Sequence, residues 1–407
     1  MDFATHYFTR YPALHSFFDD KPDEKLGIVV IIPCIDDDFI FSTLDSLEDT
    51  DAITSKIEVI VNVNSGEITP QEIVERNRLI YNGLKQKADA GFYKKISLLP
   101  ILVEGTPRKK AGVGYARKTA MDEAVRRFAA INKADGLIVS LDADSLVSKD
   151  YFKEIEDLLK NNPAGCFTFQ FQHHYDIDVY PQNVIDSCKL YEIYLRYYRL
   201  ALKTFNFPFA IHTIGSCFAI RADAYVKLGG MTSRQGGEDF YFLQKAVKMH
   251  PVYEVRKPIV FPSPRVSNRV PFGTGPSVRN ILEKGSYYVY DFKLFGILKA
   301  FYELFPAMEK EDMKKDVPVE IMNYIGLETY NKILSECRQY SSSPKAFVKR
   351  MYDNFDAFFI VKFLNTFNNS SDYPPIDVLE AGEILLRYHK VPEIHDIYEQ
   401  IYLLDLS

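Results

Sequence analysis

The chain has 407 residues, 47% of them hydrophobic, and its 49 Lys and Arg against 55 Asp and Glu leave a formal charge of −6. These proportions exclude wholesale disorder and a fibrous repeat, and the acidic balance argues against a nucleic-acid partner. Five widely spaced cysteines with no C-x-x-C pair read as reduced, buried thiols of a cytoplasmic protein.

The amino-terminal stretch MDFATHYFTRYPALHSFFDD carries His, Arg and Asp among its aromatic residues, so it lacks a signal peptide's continuous apolar run. Four compact apolar runs follow: 28–33 (IVVIIP), 57–63 (IEVIVNV), 96–103 (ISLLPILV) and 137–141 (LIVSL). Continuous β-branched runs suit parallel strands buried on both faces. Helical patterns separate them at 70–88, 115–130 and 149–160, the second marked by Ala116, Ala120, Ala124 and Phe128 at four-residue spacing. The alternation predicts an α/β layered sheet with right-handed crossovers.

After about residue 163 the pattern changes. Residues 166–172 read as a strand and 183–205 as a long aromatic helix, either core or the lining of a cleft. Residues 212–221 read as a strand leading into a short helix that stops at Gly229–Gly230. A helix is expected over 238–249, an extended segment over 252–261, and a loop over 262–276, which holds four prolines and two glycines. From 277 onward the chain reads as mostly helical. Within it, 287–305 has an amphipathic pattern, read as a core-packing face with a membrane-surface face as the alternative. No apolar run approaches the roughly 18 residues of a spanning helix.

Four motifs could carry chemistry. In LIVSLDADS, Asp142 and Asp144 directly follow an apolar strand, and ligands of open α/β sheets bind outside the carboxyl ends of strands. On extended backbone the two carboxylates would point the same way, which is unfavourable without a cation; hard oxygen ligands suit Mg²⁺ or Mn²⁺. In GVGYARK, Gly112 and Gly114 open a helix whose amino terminus could face an anion, with Arg117, Lys118 and the upstream Arg108, Lys109 and Lys110 adding positive charge. In GGEDF, a glycine pair precedes Glu238 and Asp239, either of which could act as a general base. In RVSNRVPFGTGPSVR, Arg265, Arg269 and Arg279 with Gly273 and Gly275 resemble an anion-clamping loop.

The order of these motifs resembles the family 2 glycosyltransferases over about residues 27–280. The resemblance implies the GT-A fold: a Rossmann-like mixed, mainly parallel sheet flanked by helices, here followed by a mostly helical carboxyl-terminal region. It divides the chain into an extension over 1–26, a transferase domain over 27–280 with donor and acceptor halves meeting near 150, and a helical region over 281–407. It further implies that Pro33 and Asp36 or Asp37 border the nucleotide base, with Asn62, Asn64 and Ser65 nearby. Arg117 would contact nucleotide or phosphate, Asp142 ribose or metal, and Asp144 the metal. Arg265 and Arg269 would neutralise the diphosphate. Asp239 would be the general base, with Glu238 positioning base or acceptor. Lys118 stands where the family's motif has Asn.

The implied reaction moves a sugar from a UDP- or GDP-sugar to a carbohydrate, lipid-linked or small-molecule acceptor, with inversion and with Mn²⁺ or Mg²⁺. A downstream histidine ligand is missing, since His389 is the next after His250; His173, His174 and His212 are the stand-ins. The rival readings are a retaining transferase on the same fold, a nucleotidyltransferase and a non-catalytic carbohydrate- or lipid-binding protein. The expected location is the cytoplasm, with peripheral membrane contact left open.

Overall fold

The β-branched runs form the centre of an eight-stranded sheet. Its strands are β1 (Leu26–Cys34), β2 (Lys56–Gly66), β3 (Ile96–Thr106), β4 (Leu137–Ser140), β5 (Leu146–Val147), β6 (Cys166–Phe171), β7 (Phe218–Arg221) and β8 (Val252–Phe261), in the order β3-β2-β1-β4-β7-β6-β8-β5. Strands β1 to β4 are parallel, β7 runs against both β4 and β6, β6 and β8 are parallel, and β5 runs against β8. The sheet is therefore mixed and mainly parallel, as expected. The computed structural model describes residues 2–11, 14–267, 273–368, 370–392 and 396–407.

Burial explains why the strands read as continuous apolar runs. Val29 to Ile32 of β1 and Val59 to Val61 of β2 are fully buried, so successive side chains on opposite faces both meet protein. The helix Val113–Ala130 covers β1 and β2, and its buried Ala116, Ala120, Ala124 and Phe128 bring the backbone close to the sheet. The helix Gln71–Asp89 covers β2 and β3.

Three local expectations change. Of 212–221, only Phe218–Arg221 pairs in the sheet, because residues before it run irregularly into β7. The expected loop ends early, with a helix spanning Thr274–Lys284. The amphipathic segment 287–305 divides into β9 (Tyr288–Val289) and a helix Phe292–Glu303, whose start is capped by the Asp291 carboxylate accepting from the Lys293 N–H at 2.9 Å.

The chain forms two units. One comprises Met1–Tyr180 and His212–Pro276, and holds the whole sheet. The other comprises Pro181–Ile211 and Ser277–Ser407. In this second unit β9 pairs with β10 (Ile376–Asp377), and the rest is helical. The aromatic helix Gln182–Lys203 is a core element there. Its buried Tyr197 meets Phe295 edge-on at 5.8 Å, and its buried Arg196 bonds Glu192 at 2.8 Å and Asp405 at 2.7 Å. Leu294, Phe295, Leu298, Phe301 and Tyr302 are buried in the same unit, which supports the core-packing face. Among the described residues no helix is long and apolar enough to cross a membrane. None of the five cysteines forms a disulfide, and all are buried.

Candidate active site

Strand β4 stops at Ser140, which pairs with Ile31 of β1 and Phe218 of β7. The Leu141 N–H donates to the Ile31 carbonyl at 3.1 Å, and the chain then turns, with the Ser145 N–H donating to the Asp142 carbonyl at 3.1 Å. The Thr43 hydroxyl donates to the Ala143 carbonyl at 2.8 Å and fixes the turn. Asp142 and Asp144 thus sit on a turn instead of the extended backbone that the sequence suggested, and each carboxylate takes a different arginine. Both lie at the carboxyl end of the parallel strands, where sheets of this kind bind ligands.

Arg117 is the hub of one side. It projects from the helix Val113–Ala130, is 3% exposed, and donates to both Asp142 and Glu238. Burial works against its charge, but Asp142 and Glu238 outweigh that cost, so its pKa rises above the ordinary value. Its Nε is buried without a hydrogen-bond partner among the described residues. Gly215 lies against the guanidinium: a Cβ there would stand 2.3 Å from Nη2. Asn62 of β2 donates to the Ala116 carbonyl at 2.9 Å and holds the helix at that height.

Gly112 and Gly114 have a different role from the one their spacing suggested. A Cβ at Gly112 would lie 2.8 Å from Gln235 Cα, and one at Gly114 would lie 2.3 Å from the Arg234 carbonyl oxygen. The backbone at 234–235 therefore crosses the start of this helix, and the glycines admit that crossing.

The same crossing delivers Glu238 and Asp239. Gly237 has φ +67°, a left-handed conformation that glycine adopts without steric cost, and it opens the helix Glu238–Met249. Glu238 is buried on Arg117. Asp239 is half-buried and accepts from the Phe240 N–H at 2.7 Å. Burial, then the neighbouring Glu238 charge, push its carboxyl up to about 7, with Arg117 opposing them. A carboxylate of that basicity is matched to proton transfer near neutral pH.

Arg265 is the hub of the other side. Its Nε donates to Asp144 at 2.9 Å, it also donates to Asp37, and its guanidinium lies 4.9 Å from the Phe39 ring centre. Asp37 is buried, whereas Asp36, with φ +49°, pairs outward with Arg76 at 2.7 Å. Of the two carboxylates proposed from the sequence, Asp37 is the one tied to this centre. Asn77 links the ends of β1 and β2: it accepts from the Asp36 N–H at 2.7 Å and donates to the Asn64 carbonyl at 3.0 Å. Pro33, opposite Asn62 in the sheet, lies at the same end.

Arg269 lies outside the described residues, and Arg279 lies in the helix Thr274–Lys284, within the second unit's sequence. His173 bonds Thr274 through Nε2 at 3.2 Å, and His212 meets Phe171 edge-on at 5.2 Å. Among the described residues no group of three or more His, Cys, Asp or Glu side chains could hold a metal. The donor chemistry still fits a hard divalent cation. Asp142 and Asp144, two residues apart at the carboxyl end of β4, supply carboxylate oxygens on one turn. One or two carboxylates, completed by phosphate oxygens and water, is an ordinary set for Mg²⁺.

Sequence reasoning missed Asn77, Gly215 and the crossing at 234–235. The only signal for Gly215 is a glycine just ahead of a strand, which does not name its partner.

No protein-family model and no curated protein matches the chain. Among solved structures, residues 1–349 of S. aureus TarS, also seen in complex with UDP-GlcNAc, are 13% identical, with a TM-score of 0.39 over 81% of this chain and 91% of that one. The mannosyltransferase PcManGT from Pyrobaculum calidifontis, in complex with GDP-Man and Mn²⁺, is 16% identical, with a TM-score of 0.38 over 99% of this chain and 93% of that one.

Proposed function

We propose that the chain is an inverting glycosyltransferase that uses a nucleotide-diphosphate sugar. The observation that carries this reading is Arg117, which joins Asp142 at the end of β4 to Glu238, itself 121 residues beyond Arg117 and next to Asp239. One guanidinium thus links the carboxylate at the end of β4 to the residue beside the proposed base.

In this reading the nucleotide lies across the ends of β1 and β2, by Pro33, Asp37 and Asn64. Asp144, with Asp142, would hold Mn²⁺ or Mg²⁺ together with the diphosphate. Such an ion supplies charge neutralisation on the departing diphosphate. Arg265, and Arg269 in the adjoining sequence, supply further positive charge there. Asp239 takes the proton from the acceptor hydroxyl. The oxygen then bonds to the anomeric carbon from the face opposite the leaving group, the bond from that carbon to the diphosphate oxygen breaks, and its electron pair leaves with the nucleoside diphosphate. Glu238 stays paired with Arg117 and positions the base.

The test is a donor screen of UDP- and GDP-sugars with Mn²⁺, reading released nucleoside diphosphate, followed by the anomeric configuration of the product. Release that depends on Asp239 and gives an inverted product is expected. Retention would overturn the inverting step, and no release with any donor would overturn the reading.

A further inference from the structure

We propose a second anion site in the sheet-bearing unit, one that takes a phosphate group; its assignment to the acceptor rests on the glycosyl-transfer reading above. The crossing at 234–235 brings the turn at 107–112 against the loop leading to Glu238, and the Gln235 side-chain N–H donates to the Arg108 carbonyl at 2.8 Å. Beside this junction lies a cavity of about 200 Å³, lined among others by Lys110, Tyr115, Lys118, Asp122, Arg126 and Ser233.

The charges around it are unbalanced. Lys118 pairs with Asp122 at 2.7 Å and Arg126 with Glu123 at 3.0 Å. Lys110 lines the cavity and holds no carboxylate side chain among the described residues, and Arg108, Lys109 and Arg234, which hold none either, adjoin it along the two crossing segments. The Arg234 guanidinium is held 3.6 Å from the Tyr241 ring centre. Ammonium, guanidinium and the hydroxyls of Tyr115 and Ser233 are the donors that a phosphate group accepts from.

This site is distinct from the donor centre. Arg117 and Lys118 are consecutive on one helix, so they face different directions; Arg117 meets Asp142, and Lys118 meets Asp122. Ser233 belongs to the loop that runs into Glu238 and Asp239. The ligand is therefore held on the acceptor side, and an acceptor bearing a phosphate fits it. The phosphate can belong to a soluble phosphorylated sugar or to a lipid headgroup.

Calorimetric titration of the full chain with inorganic pyrophosphate, with UDP or GDP already saturating, tests the site. Pyrophosphate should bind the wild type, about tenfold more weakly after Lys110→Glu, while nucleotide affinity stays unchanged. Asp144→Ala, measured without nucleotide, should keep the Lys110-dependent binding. Equal affinity in wild type and Lys110→Glu, or no binding by the wild type, would overturn the site. Failure of nucleotide to bind would sink the transferase reading but leave Lys110-dependent pyrophosphate binding intact, so the two failures are distinguishable. Sedimentation with phosphatidylcholine vesicles, with and without phosphatidic acid, separates the sources. Lys110-dependent pelleting only with the acidic vesicles supports a headgroup, and pyrophosphate binding without pelleting supports a soluble acceptor.

Discussion

Arg265 donates from Nε to Asp144 at 2.9 Å across 121 residues of sequence. The same guanidinium reaches the buried Asp37, so it bridges two carboxylates at the carboxyl end of the parallel strands. Burial works against its charge, yet Asp144 and Asp37 raise its pKa above the ordinary value.

Removing this internal counter-ion should strengthen binding of a metal alone. In Arg265→Gln, Asp144 and Asp37 lose their shared cation, and Mn²⁺ affinity without nucleotide should rise about tenfold, equivalent to about 1.4 kcal/mol. Electron paramagnetic resonance of free Mn²⁺ measures this directly. Nucleoside diphosphate affinity should fall in the same variant, because Arg265 also supplies charge to the diphosphate. Unchanged Mn²⁺ affinity would remove Arg265 from the cation site.

The base assignment predicts a steep kinetic loss. Asp239→Asn should lower turnover by roughly 10²–10⁴-fold while leaving donor affinity nearly unchanged. Glu238→Gln acts differently: it weakens the buried pair with Arg117, so it should lower thermal stability as well as rate. Steady-state kinetics at saturating donor, run beside melting curves, separates the two.

The raised carboxyl of Asp239 also fixes a pH dependence. Below about 7 it carries a proton and cannot accept another, so kcat/KM should climb with pH and level off above about 7. For stability the sign is opposite. The folded carboxyl keeps a proton that an unfolded one, near 3.8, has lost, so its contribution is present below about 3.8 and disappears as pH rises through about 7. The melting temperature of the wild type should fall relative to Asp239→Asn across that interval, and parallel curves would refute the shift.

Gly215 is predicted to be intolerant of a methyl group. Gly215→Ala pushes Arg117 from its two carboxylates, costing about 1–3 kcal/mol of stability and much of the turnover. Gly296 is the contrasting case: it lies inside the helix Phe292–Glu303, and a Cβ there meets nothing within 4 Å. Gly296→Ala should stabilise by about 0.5–1 kcal/mol. Denaturant titrations of both variants give the comparison.

Asp405 should anchor the second unit. It pairs with the buried Arg196 at 2.7 Å and also with Arg199, so Asp405→Ala takes one buried carboxylate from two buried guanidinium groups, while Arg196 keeps Glu192. A loss of about 3–5 kcal/mol is expected, read as a lowered melting temperature.

The sequence by itself determined the features that depend on neighbouring residues. Continuous Val and Ile runs become strands buried on both faces, and the alanine spacing of Ala116, Ala120 and Ala124 becomes the face of a helix laid on β1 and β2. Because chain direction and strand length are local properties, Asp142 and Asp144 could be placed at a strand's carboxyl end from LIVSLDADS alone. The motifs also marked Arg117, Glu238, Asp239 and Arg265 one by one. Only the tertiary structure decided their partners. It joined Arg117 to Glu238 and Arg265 to both Asp144 and Asp37, selected Asp37 over Asp36, and filled the Gly112–Gly114 concavity with backbone from 234–235 in place of an anion. It also grouped the helix Gln182–Lys203 with the carboxyl-terminal helices. These choices depend on contacts between residues far apart in the chain. Periodicity and spacing report which face of an element is apolar, but they carry no information about which distant residue will neutralise a given charge.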